Sequence, residues 1–384
     1  MIIREFLNWI DSAPEEPRAQ AAGALGRVWL HSELNEEERT GVAAALTLLL
    51  DDPSTDVRKA VAESLAESEH APRHIILTLA EDVDDIAALV LKSSPVLSET
   101  ELVDATARAS DRLQCVIATR GNLTHGVAAA LAEVGTCSAC LALLQNSSAS
   151  LLRSSLLRIA ERHCNDVTMC EQLLQKSDLP LPLRHKLLKR LAEGLEDHPM
   201  VVQKVPEHMR NEFLADVDDK VTLRLALEAP DDDMSELIEH LRNEGLLSTR
   251  LLLRAVCCGR LRFFASALAH LGKVPVPRLR QALISVRISA LQAILRKAGL
   301  PIRSHQAFLL AIEIARSADA DFTKDLTLEE ARVFTDSLLA ELQDEALGAD
   351  DDVKAFLRRF AVDVARLEAR AYVRGKLQGA LRAA

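Results

Sequence analysis

The stretch "DDPSTDVRKAVAESLAES", residues 51–68, ends one apolar run and opens another almost at once. Asp51, Asp52 and Pro53 halt a run that finishes in "LTLLL". Val57, Val61, Leu65 and Ala66 then recur at helical spacing, which places them on one stripe. Asp52, Ser54 and Asp56 all suit the cap of the new helix, and Pro53 suits its first turn. A helix that stops and restarts so sharply reverses the chain, and the second helix packs its stripe against the first. The joint recurs. "EDVDDIAALVLKSS" sets Ile86 where Val57 stood, and "RASDRLQCVIATR" sets Leu113 there. "NSSASLLRSSLLRIAE" sets Leu152 there, with Arg153 in the place of Arg58. The intervals are 29, 27 and 39 residues. A short period with a shared grammar predicts an α-solenoid of antiparallel helix pairs, each burying its face only against neighbours.

Composition agrees with an all-α chain. Of 384 residues, 48% are apolar but only 3% aromatic, and Gly and Pro are scarce. Leu, Ala, Glu and Arg lose little rotamer freedom in a helix, and strand-like alternation is almost absent. The longest apolar run, "VAAALTLLL", is far too short for a membrane span. Arg4 and Glu5 precede any apolar stretch, so a secretory leader is not expected. Seven cysteines in a chain without export signals are expected to be reduced thiols in a cytoplasm. Short Pro-rich joints crowd residues 177–235, and Pro230-Asp231-Asp232-Asp233 is the expected boundary. A repeat domain, 1–230, would precede a C-terminal helical domain, 231–384, that ends in a long helix over 353–382.

Asp56-Val57-Arg58 followed by Val61, Ala62 and Leu65 resembles the second helix of a HEAT-type repeat. Residues 49–103, "LLDDPSTDVRKAVAESLAES…SPVLSETELV", are similar to the core of an uncharacterised, chiefly alphaproteobacterial family, domain of unknown function 2336. "LSTRLLLRAVCCGRLRFFASALAHLGKVPVPRLRQAL", residues 247–283, and "LQAILRKAGLP", residues 291–301, resemble its later blocks. The resemblance implies a helical-repeat protein of bacterial cytoplasm and carries no activity or catalytic residue with it.

Charge is unevenly distributed. The net charge of −11 argues against general nucleic-acid affinity. Yet the block 245–312 holds eleven Arg and Lys and no acid. The next forty residues, 313–352, carry thirteen acids against three bases, and 354–384 carry eight bases against two acids. One expectation is that the basic block pairs internally with the acidic segment that follows. The other is an anion- or partner-binding face built on Arg254, Arg278, Arg280 and Arg287, since guanidinium forks match carboxylate and phosphate bidentately. Pro275 and Pro277 set Arg278 and Arg280 on a connection and helix start, where they are expected to be exposed. The block's aromatics, Phe263 and Phe264, are expected in the core rather than as a stacking platform, so nucleic acid is an unlikely partner.

Catalytic motifs do not assemble. Cys137-Ser138-Ala139-Cys140, with His163-Cys164 and Cys170 downstream, lacks the spacing of a zinc ribbon or finger, and on a helix small buried thiols are the commoner outcome. No metal or cofactor is expected. There is no phosphate loop, no G-x-S-x-G elbow and no H-E-x-x-H, and the histidines, including His125, His185 and His305, are scattered. The expected function is therefore a non-enzymatic scaffold or regulatory adaptor that holds a protein partner on a helical-repeat face. The alternatives are a receptor for an anionic ligand such as a signalling nucleotide, and a HEAT-like enzyme acting on nucleic acid. For the latter the only tryptophans are Trp9 and Trp29.

Overall fold

The computed structural model describes residues 9–10, 12–194, 199–204, 206–227, 229–285, 288–317, 326–342 and 351–383. Among them the regular elements are helices, with no strand. The chain divides into two compact units, Met1–Leu179 and Pro180–Ala384. The division falls at Leu179, and the helix Leu181–Gly194 packs on the helix Asp231–Asn243 that follows Pro230.

The first unit comprises α1 (Glu15–His31), α2 (Glu36–Leu48), α3 (Thr55–Leu65), α4 (Arg73–Ala80), α5 (Asp84–Ser93) and α6 (Glu99–Arg108). These are followed by α7 (Asp111–Ala118), α8 (His125–Val134), α9 (Cys137–Gln145), α10 (Arg153–His163) and α11 (Val167–Leu174). Packing skips one helix at a time. Helix α3 lies against α1, α5 against α3, α7 against α5, α9 against α7 and α11 against α9, while α6, α8 and α10 form a second row. The third residue of each helix from α3 onward in the first row is buried: Val57, Ile86, Leu113, Ala139 and Met169. Their intervals are 29, 27, 26 and 30 residues, which is the repeat. Leu152 belongs elsewhere. It is 47% exposed and precedes α10 in the second row, and the joint that the sequence conceals is Thr136-Cys137.

At the opening stretch the chain leaves α2 through a 3-10 turn, Leu49–Asp51, and Ser54 rather than Pro53 starts the next helix. The Ser54 hydroxyl accepts from the Asp56 amide at 3.2 Å and donates to the Glu15 carboxylate at 2.5 Å. The device repeats. Ser110 accepts from Leu113 N at 3.3 Å and donates to Asp84 at 2.6 Å; Thr136 accepts from Ala139 N and donates to Asp111. A capping hydroxyl satisfies an orphan amide of its own helix, and the acid it meets sits in the favourable first turn of the preceding helix in the row. Arginines reinforce the row: Arg18 grips Asp52 at 2.9 and 3.0 Å, and Arg58 grips Asp82 at 2.7 and 2.9 Å while donating to the Asp52 carbonyl. Asp52 thus ties α1 to the start of α3, and Arg58 carries the tie on to Asp82 ahead of α5.

The second unit comprises α12 (Leu181–Gly194), α13 (Pro199–Lys204), α14 (Glu207–Leu227), α15 (Asp231–Asn243), α16 (Thr249–Cys257) and α17 (Leu261–Gly272). Then come α18 (Val276–Ser285), α19 (Ile288–Lys297), α20 (Ile302–Ser317), α21 (Leu328–Leu342) and the long α22 (Asp351–Ala383). Helix α16 is central: α14, α17, α20, α21 and α22 all pack on it, and every residue from Leu251 to Cys257 is buried. Phe264 and Phe308 stack at 5.6 Å beside it. Gly259, at φ 73°, ends α16 where a Cβ would lie 2.7 Å from the Leu326 amide nitrogen, so only glycine fits.

Candidate functional site

The predicted arginines meet different fates. Arg254 is only 4% exposed, because it stands on the enclosed helix α16. One Nη is hydrogen-bonded to Asp216 of α14, Nε is 3.7 Å from Asp219, and the guanidinium lies 5.6 and 5.4 Å from the rings of Phe356 and Phe360 on α22. One turn earlier, Arg250 bonds Asp219 at 2.8 Å. Arg280 lies 3.7 Å from Asp231, which Arg262 also holds at 2.8 Å. Arg278 and Arg280 are exposed in the first turns of α18, as the flanking prolines imply. Arg287 lies outside the described residues.

Several arginines of the basic block are paired within the fold. The described ion pairs of Arg250, Arg254, Arg262 and Arg280 run to Asp216, Asp219 and Asp231. Burial governs Asp219, whose carboxyl is pushed above the usual range despite the charge of Arg250. Asp231 is held below that range, chiefly by the hydrogen bond from Arg262.

Around Arg254 the three helices α14, α16 and α22 leave a cleft of about 720 Å³. Lys220, Arg250, Arg254, Arg358, Arg359 and Arg366 supply its positive charge, against Glu212, Asp216 and Asp363. Lys220 bridges Asp216 at 2.5 Å and Asp363 at 3.4 Å, and Arg359 meets Glu212 at 2.7 Å. Arg358 is exposed and makes no ion pair among the described residues. The first unit has a groove of the opposite sign, about 1180 Å³, walled by α3 to α7 and the joints between them. Its acids are Glu81, Asp82, Asp84, Glu101 and Asp104, against Arg58 and Arg108. Asp82 is held below the ordinary carboxylate range: burial alone would raise it, but the hydrogen bonds from Arg58 and the Val83 amide outweigh that.

The family model of domain of unknown function 2336, an uncharacterised protein conserved in bacteria, matches residues 86–348, more than half of the chain. The chain belongs to this family. No curated protein and no solved structure matches it. The matched span of domain of unknown function 2336 includes the blocks at 247–283 and 291–301 but begins within the stretch 49–103. It contains the α14 and α16 walls of the basic cleft and ends before α22, which brings Phe356, Phe360 and the outer arginines.

Cys140, Cys170 and Cys257 are buried, and Cys115, Cys137, Cys164 and Cys258 are half-buried. Cys140 is buried in α9, and burial pushes its thiol up to about 11, so it stays protonated at neutral pH. All seven cysteines are free, and the described residues hold no cluster of three or more metal-ligating side chains. Trp29 donates to the His70 carbonyl at 2.8 Å beneath the Arg39 guanidinium. Sequence reasoning missed Asp216 and Asp219, 38 and 31 residues before the arginines they pair with, and the α22 aromatics, about a hundred residues after Arg254, since such helices converge only after folding. It also passed over His185, fully buried, 2.9 Å from the Thr222 hydroxyl and edge-on to His240 at 5.5 Å.

Proposed function

We propose that the protein is a non-enzymatic adaptor of the cytoplasm that holds a basic segment of a protein partner in the groove of its first unit. The observation that carries this reading is the groove itself. It runs across successive repeat joints, and acids outnumber bases along its walls. Asp82 and Glu101 are committed to Arg58 and Arg73, whereas Glu81 and Asp104 stand on the rim, with Glu81 3.6 Å from Arg108. Rim charges steer encounter and select sign, and they are weak enough in water to exchange partners. No described helix is long and apolar enough to cross a membrane.

The test is a Lys/Arg-rich helical peptide titrated against the full chain by fluorescence anisotropy. Wild type should bind it in a salt-dependent way, and Glu81→Lys with Asp104→Lys should weaken binding at least tenfold with the melting temperature unchanged. Equal binding by the reversed protein would remove the groove as the partner surface.

A further inference from the structure

We propose that the cleft between α14, α16 and α22 is a separate site for a small aromatic phosphate of the nucleoside-monophosphate class. Its volume of about 720 Å³ lies within the range of small-molecule sites, roughly 300–1,000 Å³, and is small for a folded partner. Positive charge exceeds negative on its lining, six side chains to three, with Asp219 behind Arg250 and Arg254 as a fourth acid. Arginines four residues apart, Arg250 and Arg254, present one wall, and Arg358 and Arg366 on α22 present the opposite rim.

Two groups on this lining have unused capacity. Arg358 makes no ion pair among the described residues, and Arg366 is 70% exposed with Asp363 no closer than 4.0 Å. Deeper in, the Nε of buried Arg254 faces Asp219 at 3.7 Å and Asp216 occupies its Nη, so this guanidinium lends the cleft its charge from below. The groups that an incoming oxyanion meets are the exposed guanidiniums of Arg358 and Arg366, whose charge-assisted hydrogen bonds to an oxyanion are the stronger kind. A phosphate monoester brings about −1.5 to −2 charges and three acceptor oxygens, which suits the surplus.

The rest of the lining is apolar. Phe356 and Phe360 form a stacked pair, 6.1 Å apart, and Phe213 stands at the mouth, 40% exposed beside Pro206. An aromatic ring left open next to arginines is a stacking face for a flat heterocycle. A bare inorganic anion would use the arginines and leave Phe213 idle, whereas an aromatic phosphate uses both.

Isothermal titration of the full chain with adenosine 5′-monophosphate, inorganic phosphate, adenosine and a polyglutamate peptide tests the site. The monophosphate should bind at least tenfold more tightly than any of the other three, and more weakly as salt rises. Arg358→Glu with Arg366→Glu, both at exposed positions, should weaken it at least tenfold. Phe213→Ala should bring the monophosphate down to the level of phosphate alone. Glu81→Lys with Asp104→Lys in the first unit should change nothing here, so the two sites fail or stand independently. No heat with the monophosphate, equal binding of phosphate, tighter binding of the peptide, or an unaffected Arg358/Arg366 variant would each overturn the assignment.

Discussion

The two units bury charge in opposite ways. In the first, each helix hides one stripe, and the polar groups sit at helix ends where caps, first-turn acids and arginines tie neighbours in a row. In the second, a single helix is enclosed on all sides, and an arginine goes into the interior with it. A stacked repeat never needs a buried cation, because every helix keeps a face on water. A helix surrounded by five others has no such face, so Arg254 must be met by Asp216, Asp219 and two aromatic rings. Similar sequence grammar, a short Leu/Ala-rich helix with an arginine after the first apolar residues, thus yields a surface tie in one place and a core ion pair in the other.

The comparison breaks most visibly at the joint. Val57 has no exposed surface, so Val57→Asp inserts an uncompensated charge between α3 and its row neighbours at a cost of several kcal/mol. Hydrogen exchange read by mass spectrometry should show the first unit opening while α16 of the second stays protected. Protection of residues 55–93 equal to wild type would mean that the stripe is not an interface.

Next in size is Arg254→Ala. Removing the cation leaves Asp216 to Lys220 and Asp219 to Arg250 but deletes the buried charged hydrogen bond and its packing on two rings, and should cost about 1.5–3 kcal/mol, a loss seen in the second unit alone. Denaturant unfolding that shifts by less than about 1 kcal/mol would place Arg254 among the surface pairs, which contribute little.

The fold was legible where local chemistry sets it. Val57, Ile86 and Leu113 fall at the same helix position because each follows a capped start, and those signals lie within a few residues of one another. The register failed at Leu152 because the intervening joint, Thr136-Cys137, has no proline or acid to mark it. The candidate site was legible only in part. The arginine block is visible in the sequence, but whether a given arginine is buried depends on how many helices surround its own, and that count exists only in the fold. Arg254 and Arg278 look alike as sequence and end up 4% exposed and fully on the surface side of α18.

Acid titration gives the smallest effect and the sharpest contrast between the units. Asp82 in the first unit binds its proton less readily folded than unfolded, since Arg58 and the Val83 amide favour the carboxylate. The stability it contributes is fully present above the unfolded value of about 3.9 and is lost as pH falls through its lower folded value. Asp219 in the second unit runs the other way. Burial makes it bind its proton more readily folded than unfolded, so between about pH 3.9 and its raised folded value stability falls as pH rises. Replacing Asp82 with Asn should therefore flatten the acid-side loss of the first unit. Asp218, Asp231 and Glu330 of the same unit are shifted downward and make its stability rise with pH, so the contribution of Asp219 is read as the difference between wild type and Asp219→Asn, which should fall as pH rises from about 4. Unit-resolved hydrogen exchange between pH 3 and pH 7 on both single variants distinguishes the two. Differences of the same sign for Asp82→Asn and Asp219→Asn would show that Asp219 is stabilised as a carboxylate by Arg250 and Arg254, and that the enclosed helix handles charge no differently from the open joint.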